Sequence, residues 1–361
     1  MTGEVVRTVN TSGRESRVLP YAIRMTDADS AEEMLRGLRE LPGAITRTYL
    51  APDIKVMFES VNKNACTSLK WLMAELAGED LARFRAGRRP FVSDSEAVHD
   101  RSLWIASPKL DVMSAEERRG IHPDNGWFIF GVVRDPRLRL FSAWQNKLLI
   151  ETPSSQKWRD EPWYPHHPLT RESVIDDFAS FVGALSDEPD LWLRVHDPHF
   201  RDQTELLAEH LIPYTRIYEI HELSHLCADL ERHLAQQGHV REIRLPRVNP
   251  TPLHAAPEVF ANGVREVVER IYAADFARFG DLWDFASVEA ARSWTSAELM
   301  ACEHESELGS RIAELHAHMT QARRRSDDAQ DDIDNLKGRV ARLEKSLAAA
   351  LAAGQTGTDL P

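Results

Sequence analysis

The sequence has few cysteines and no long apolar run. Three of its 361 residues are cysteine, and Cys66, Cys227 and Cys302 lie far apart, with no CxxC pair and no cysteine–histidine cluster. This spacing argues against a disulfide framework and a zinc site, and it fits a reducing compartment. No stretch approaches the ~18 apolar residues of a membrane span, and the N-terminal segment has no apolar signal-peptide core. We therefore expect a soluble, cytoplasmic protein without an integral membrane segment.

The chain also lacks an excess of positive charge. It has 44 Lys and Arg residues against 57 Asp and Glu residues, which gives a net charge of −13. So acidic a chain is a poor general binder of nucleic acid, although a local basic pocket is compatible with this balance. Hydrophobic residues make up 42% of the sequence, which is enough to build a sizeable core.

Strand-like and helix-like segments alternate from Ile54 to about Ala286, a pattern typical of an α/β fold with a parallel sheet flanked by helices. The clearest strands are KVMFESV at 55–61, GWFIFGVV at 126–133 and YTRIYEI at 214–220. Before them, DSAEEMLRGLREL at 29–41 predicts a helix. Residues 151–168 are rich in Pro and Trp and predict a long surface loop that contacts the acceptor.

The C-terminal part has a different pattern. Beyond Ser287, Gly and Pro nearly vanish, and small or apolar residues recur at a 3-4 spacing from Leu308 to Leu347. This narrow stripe predicts a coiled-coil helix, and self-association makes a homodimer the expected assembly. We divide the chain into an N-terminal extension (1–50), a catalytic domain (51–286), a coiled-coil helix (287–351) and a disordered tail (352–361).

A polar turn follows the first clear strand. The stretch VNKNACTSLKWL places a short turn between the strand and a helix with apolar residues at helical spacing. Unpaired amides at a helix N-terminus bind anions, Thr67 and Ser68 add hydroxyl donors, and Lys63 adds a positive charge. The turn therefore predicts a site for a phosphate-like group.

A second polar turn follows the strand at 126–133. Arg134, Asp135 and Pro136 lead into a helix that carries Ser142, so Arg134 and Ser142 can grip a second phosphate at the carboxyl end of a neighbouring strand. An isolated Arg-Asp-Pro tripeptide is more often a surface ion pair that caps a helix. Because the first turn is also present, we favour the phosphate-binding interpretation of Arg134 over the surface ion pair.

Neither turn contains a glycine, and this argues against the main alternative class, the P-loop kinases. P-loop kinases share the strand–turn–helix architecture but need G-x-x-x-x-G-K-[ST], with Lys at the end of the loop. Here Lys63 comes first and the loop has no glycine. The pattern argues against a magnesium-dependent ATP site.

Together these motifs resemble the carbohydrate sulfotransferase family that includes the chondroitin and HNK-1 sulfotransferases. NKNACTSLK is similar to the family's PK-x-ACT-S/N turn, and VVRDPRLRLFSAWQNK to its VRDP-x-x-R-x-x-S-x-x-x-x-K motif. HDPHFRDQTELL is similar to the family's HW-x-P-Q segment, and the likeness runs from Lys55 to about Asp281. Asn62 and Asp202 depart from the pattern, because the family has Pro at both positions.

The resemblance implies a sulfotransferase fold, which is related to that of the P-loop nucleotide-binding proteins. It also implies a particular sulfuryl donor. The donor is 3′-phosphoadenosine 5′-phosphosulfate (PAPS), a co-substrate used without a metal, and the acceptor is a hydroxyl of a saccharide or glycoconjugate. Lys63 would contact the bridging and leaving-group oxygens, while Arg134 and Ser142 would hold the 3′-phosphate. The 5′-phosphate would be held by the following turn residues: Asn64, Ala65, Cys66, Thr67 and Ser68.

A hydroxyl acceptor must lose a proton, so we expect a general base. The candidates are His99, which lies between the two motifs, then His199, then Glu59 beside the first turn. Two other functions stay open at this stage. One is a nucleotide-dependent kinase of the P-loop type, and the other is an inactive sulfotransferase-like scaffold that acts through its coiled coil.

Overall fold

The computed structural model describes residues 28–40, 44–90, 92–246 and 251–355. Within these ranges the strands form one four-stranded sheet in the order β1-β2-β3-β4. The three strands predicted from the sequence are confirmed as β2, β3 and β4, and they run parallel. A short edge strand, β1, pairs antiparallel with β2 and was not predicted. The strand bounds are β1 Thr48–Ala51, β2 Val56–Glu59, β3 Phe128–Val133 and β4 Arg216–Glu219.

Helices flank the sheet, which confirms the mixed α/β class. The helix predicted at 29–41 is confirmed as α1, and the loop at 151–168 contains no α-helix or strand. No described helix combines the length and apolar character that crossing a membrane requires. The helix bounds are α1 Ala28–Glu40, α2 Ala44–Arg47, α3 Cys66–Leu76, α4 Leu81–Gly87, α5 Ala115–Gly120, α6 Pro136–Trp144, α7 Arg171–Asp187, α8 Trp192–His196, α9 Gln203–Leu207, α10 Leu223–Gln236, α11 Val264–Ile271, α12 Ala273–Phe279, α13 Ala286–Glu289 and α14 Ser296–Gln355.

The sheet is covered on both faces because side chains alternate along its strands. Phe58 of β2 and Phe130 of β3 stack with ring centroids 5.0 Å apart and pack against α3 and α10. Met57 and Ile129 point to the other face and pack against α1. This arrangement fixes the edge of the sheet at which the two polar turns meet.

A second core lies beside the sheet, between α6, α7, α11 and the start of α14. Trp144 and Phe178 are fully buried there, and Val288, Trp294 and Cys302 belong to the same cluster. The packing thus continues past residue 286 to Ala313, which is also buried. The division of the chain into domains stays a prediction, and this packing argues for a domain that ends near residue 313. Likewise α1 and β1 pack into the core, although α1 and the first three residues of β1 precede residue 51.

The predictions for residues 1–27 and 356–361 lie outside the described residues. Of the predicted tail, residues 352–355 continue the backbone of α14. The coiled coil itself stays a prediction; the described residues show α14 as one continuous helix, Ser296–Gln355.

Two glycines of α14 give a matched stability test. A Cβ atom on Gly309 would lie 1.9 Å from the carbonyl oxygen of Ile150, whereas a Cβ on Gly338 meets nothing closer than 4.0 Å. We expect Gly309→Ala to lower the free energy of unfolding by about 1–3 kcal/mol, since backbone must shift. Gly338→Ala should raise it by about 0.5–1 kcal/mol through helix propensity. Urea unfolding of both variants checks this, and a stabilised Gly309→Ala would contradict the docking of α14.

Candidate functional site

The two polar turns lie side by side at the carboxyl ends of β2 and β3. These strands pair in parallel, with Glu59 opposite Gly131. The first turn leads into α3 at Cys66, and the second leads into α6 at Pro136. The backbone amides of two helix N-termini therefore flank one region at the edge of the sheet, as the sequence predicted.

The first turn has an unusual backbone for a loop without glycine. Lys63 has φ 68° and Ala65 has φ 56°, so both residues adopt the left-handed conformation. Residues other than glycine rarely adopt it, at a cost on the order of 1–3 kcal/mol each, and keep it only where their surroundings impose it.

Side chains from the second turn and from α6 impose this conformation. Arg139 Nε donates to the carbonyl of Asn62 at 3.0 Å, and Arg134 Nη1 donates to the carbonyl of Lys63 at 3.2 Å. Asn64 Nδ2 donates to the carbonyl of Val132 at the end of β3, at 2.8 Å. The two turns are thus one hydrogen-bonded unit.

Gln203 ties a third segment to this unit and was missed by the sequence reasoning. Its Oε1 accepts from Asn64 Nδ2 at 2.7 Å and from the Arg134 amide at 3.0 Å. Its Nε2 donates to the Arg134 carbonyl at 2.8 Å and also lies 3.2 Å from a carboxylate oxygen of Asp275. The signal was present, because Gln203 occupies the place of Gln in the resembling HW-x-P-Q segment.

Three cations converge on the turn. Lys63 is half-buried, and burial, with the positive charges of Lys147 and Arg134, lowers its pKa to about 8. Burial likewise lowers the pKa of Arg134 to about 10. Lys147, the last residue of the second motif VVRDPRLRLFSAWQNK, also acts electrostatically on His99 and His199. Desolvated cations that repel one another beside two helix N-termini form a site for a polyanion.

His99 contacts the first turns of α3. Its Nε2 lies 2.9 Å from Thr67 Oγ1, and its Nδ1 lies 3.1 Å from Lys70 Nζ. Because an ammonium group only donates, Nδ1 is the acceptor and Nε2 carries the proton that is donated to Thr67. Burial and the charge of Lys70 hold the pKa of His99 well below its usual range. His99 therefore orients Thr67, and its own lone pair is already engaged by Lys70.

His199 has the arrangement expected of a base. Its Nδ1 lies 2.6 Å from Asp197 Oδ1, and its Nε2 lies 2.9 Å from Asn62 Nδ2. Burial and Lys147 lower the pKa of His199 to about 3. Burial alone would raise the pKa of Asp197, but hydrogen bonds from His199 outweigh it and bring this pKa to about 2. A carboxylate thus holds Nδ1–H, and the lone pair on Nε2 faces the first turn.

The last two residues predicted from the sequence are Glu59, a candidate base, and Ser142, a candidate phosphate ligand. Glu59 is fully buried, accepts a hydrogen bond from Thr48 at 2.6 Å and pairs with Arg47. Burial raises its pKa to about 7. It follows Phe58, which packs against α3, so strand alternation turns Glu59 to the opposite face of the sheet and away from the turn. Ser142 lies buried in α6, and its phosphate-binding role stays a prediction.

The strained position at Ala65 can be tested by matched substitutions. Ala65→Gly should be neutral or raise the free energy of unfolding by up to about 1 kcal/mol, because glycine adopts positive φ without strain. Ala65→Val should lower it by about 1–3 kcal/mol, because a β-branched residue is strongly disfavoured there. Urea unfolding measures both, and equal stability of the two variants would exclude a left-handed Ala65.

Comparison with protein families gives one result that covers the whole site. The model described as the sulfotransferase family matches residues 46–280, which is more than half of the chain and includes both turns and the His199 segment. Comparison with curated proteins and with solved structures gave no match. The chain therefore belongs to the sulfotransferase family.

Proposed function

We propose that this protein transfers the sulfuryl group of PAPS to a hydroxyl of a saccharide or glycoconjugate acceptor. The observation that carries the donor assignment is the position of Lys63 and Arg134 at two adjacent helix N-termini, with the charge of Lys147 near enough to lower the pKa of Lys63. PAPS carries a phosphosulfate and a separate 3′-phosphate, and two joined anion sites match that distribution of charge. The carbohydrate acceptor rests on the motifs that resemble carbohydrate sulfotransferases.

The first turn would hold the phosphosulfate. The amides of residues 64–68 and the hydroxyls of Thr67 and Ser68 supply donors, and His99 leaves the Thr67 hydroxyl proton free to donate to an anion. Arg134, in the turn that precedes α6, would hold the 3′-phosphate together with Ser142 of α6. A bound anion raises the pKa of Lys63 and keeps it charged.

Sulfuryl transfer needs in-line attack and neutralisation of the departing phosphate, demands that it shares with phosphoryl transfer. The acceptor oxygen bonds to sulfur while the bond from sulfur to the 5′-phosphate oxygen breaks, and 3′,5′-ADP leaves. Lys63 is the cation placed to neutralise that oxygen as its charge develops. The protein contributes position and electrostatics rather than a covalent intermediate.

His199 is the base that we propose, ahead of His99. Its Nε2 would take the acceptor proton while Asp197 holds Nδ1–H and stabilises the imidazolium that forms. Asn62 now donates to the same Nε2, so the acceptor hydroxyl would replace the Asn62 amide. His99 is the weaker choice because its lone pair faces the Lys70 ammonium at 3.1 Å.

The family match does not favour either alternative function. A P-loop kinase lacks support because the turn has no glycine and its lysine comes first. An inactive scaffold lacks support because Lys63, Arg134 and the Asp197–His199 pair are all positioned around one turn. We further propose that α14 pairs with a second copy of the chain. The cytoplasmic location stays a prediction.

Arg134 gives a direct test of the donor. The protein should bind 3′,5′-ADP more tightly than 5′-ADP, without magnesium. Arg134→Ala should weaken 3′,5′-ADP binding by about 1.5–3 kcal/mol, or roughly 10- to 150-fold, because a charge-assisted contact is lost. Isothermal titration calorimetry measures each affinity.

Arg244→Ala, at an exposed arginine, is the control and should bind like the wild type. Arg134→Lys should retain part of the affinity, since it keeps the positive charge but loses the planar guanidinium that can donate two parallel hydrogen bonds. Unchanged 3′,5′-ADP affinity in Arg134→Ala would refute the assignment. Magnesium-dependent binding of 5′-ADP would support a kinase, and equally weak binding of both nucleotides a scaffold.

The two histidines should give different kinetic results. His199→Ala should lower kcat by roughly 10²–10⁴-fold with little change in 3′,5′-ADP affinity, as expected for loss of a base. His99→Ala should mainly weaken nucleotide binding, because Thr67 loses its orienting partner. Release of 3′,5′-ADP from PAPS is measured with desulfated chondroitin as the acceptor, and with water as the acceptor in parallel.

The pH dependence of kcat/KM provides a second readout in the same assay. Because the pKa of Lys63 is about 8 in the free protein, its charge and the rate should be lost as the pH rises through 8. This alkaline limb should persist in His199→Ala. The assignment of the base is wrong if His99→Ala loses turnover at unchanged nucleotide affinity while His199→Ala does not.

A further inference from the structure

The outer part of α14 presents an apolar stripe to solvent. Cys302, Ser306 and Ala313 are buried against the domain, but no residue from Glu314 to Leu351 is buried in the described structure. This segment has 38 residues and spans about 57 Å at 1.5 Å per residue, so it extends well away from the domain.

The stripe has the residue pattern of a two-stranded coil. Apolar or small residues occupy two positions per heptad, a and d, a narrower stripe than a helix needs to pack on a globular core. In the outer half, β-branched Ile333 and Val340 occupy a, and Leu336 and Leu343 occupy d. These side chains are 46–68% exposed. β-Branched residues at a with Leu at d favour two parallel strands.

The charged residues at the e and g positions, beside the apolar stripe, favour one relative direction of the two paired helices. In a parallel, in-register pair each g position faces the e position of the partner's next heptad. Asp332 would then face the partner's Lys337, and Arg339 would face the partner's Glu344, so both pairs attract. An antiparallel pair brings e against e and g against g. In the register that pairs Leu336 with Val340, Lys337 and Arg339 would each face their own copies. In the register that pairs Val340 with Leu343, the contact of Lys337 with Glu344 attracts but Arg339 faces the uncharged Ser346, so the parallel pair has more attractive contacts.

We propose that residues 333–351 form a parallel, in-register, two-stranded coiled coil with a second copy of this chain. The weakly apolar segment between Ala313 and Ile333 is a spacer of about 30 Å that separates the coil from the domains. Parallel pairing places both catalytic domains at the same end of the coil. The inference does not depend on the sulfotransferase activity.

Cysteine cross-linking of the full-length chain tests the orientation. Val340→Cys should form an intermolecular disulfide under mild oxidation, because position 340 faces its own copy in a parallel pair. Lys345→Cys, on the outer surface of the coil, is the matched control and should cross-link at least tenfold less. The wild type has two buried cysteines, Cys66 and Cys302, and a half-buried one, Cys227, in α10. It is the background control and should stay uncross-linked. Cross-linking only in a mixture of Leu336→Cys and Val340→Cys chains, or of Val340→Cys and Leu343→Cys chains, would show antiparallel pairing and overturn the proposal.

Light scattering of the full-length chain tests the stoichiometry. Wild type should be a dimer at micromolar concentration. Leu343→Asp should weaken dimerisation at least a hundredfold by placing a charge in the seam, whereas Lys345→Asp should remain dimeric. A monomeric or trimeric wild type would overturn the two-stranded coil. Because 3′,5′-ADP binding by Leu343→Asp should be unchanged, failure of the dimer can be distinguished from failure of the donor assignment.

Discussion

The site depends on the hydrogen bonds that Arg139 and Arg134 donate to a turn without glycine, together with the one that Asn64 of this turn donates to the end of β3. They hold Lys63 and Ala65 at positive φ and join the ends of β2 and β3. Arg139 also donates to the carbonyls of Pro198 and Arg201, on either side of His199. One buried guanidinium therefore connects the turn proposed to bind the anion to the segment that carries the proposed base. We infer that donor binding and base position are established together, since neither segment reaches its geometry without the other.

The electrostatics of the site follow from the same packing. Burial lowers the pKa values of both Lys63 and Arg134, and the two positive charges repel each other in the free protein. A bound anion would reduce this repulsion. Burial and the charge of Lys147 lower the pKa of His199, which keeps the imidazole neutral in the free protein. Binding of an anionic donor offsets these positive charges and raises the pKa of His199. The proposed base would then become more basic only when the donor is in place.

The sequence predicted those parts of the protein that local patterns determine. Strands β2 to β4 have strong apolar patterns, and the strand–turn–helix motif located Lys63, Thr67 and Arg134. The edge strand β1 has four residues and depends on pairing with β2, so no local signal distinguished it. The choice between His99 and His199 required their partners Lys70 and Asp197, because those atoms determine which nitrogen is free. The position of Glu59 also required the structure, because alternation along β2 separates Phe58 from Glu59 but does not show which face packs against α3.

The central claim is that the two turns form one donor site with separate places for the two ends of the nucleotide. Hydrogen–deuterium exchange of the backbone amides, with and without nucleotide, tests this most directly. Addition of 3′,5′-ADP should slow exchange at residues 63–68 and also at 134–139, whereas 5′-ADP should slow it at 63–68 alone. Protection of only one turn by 3′,5′-ADP, or equal protection of the second turn by both nucleotides, would contradict the account.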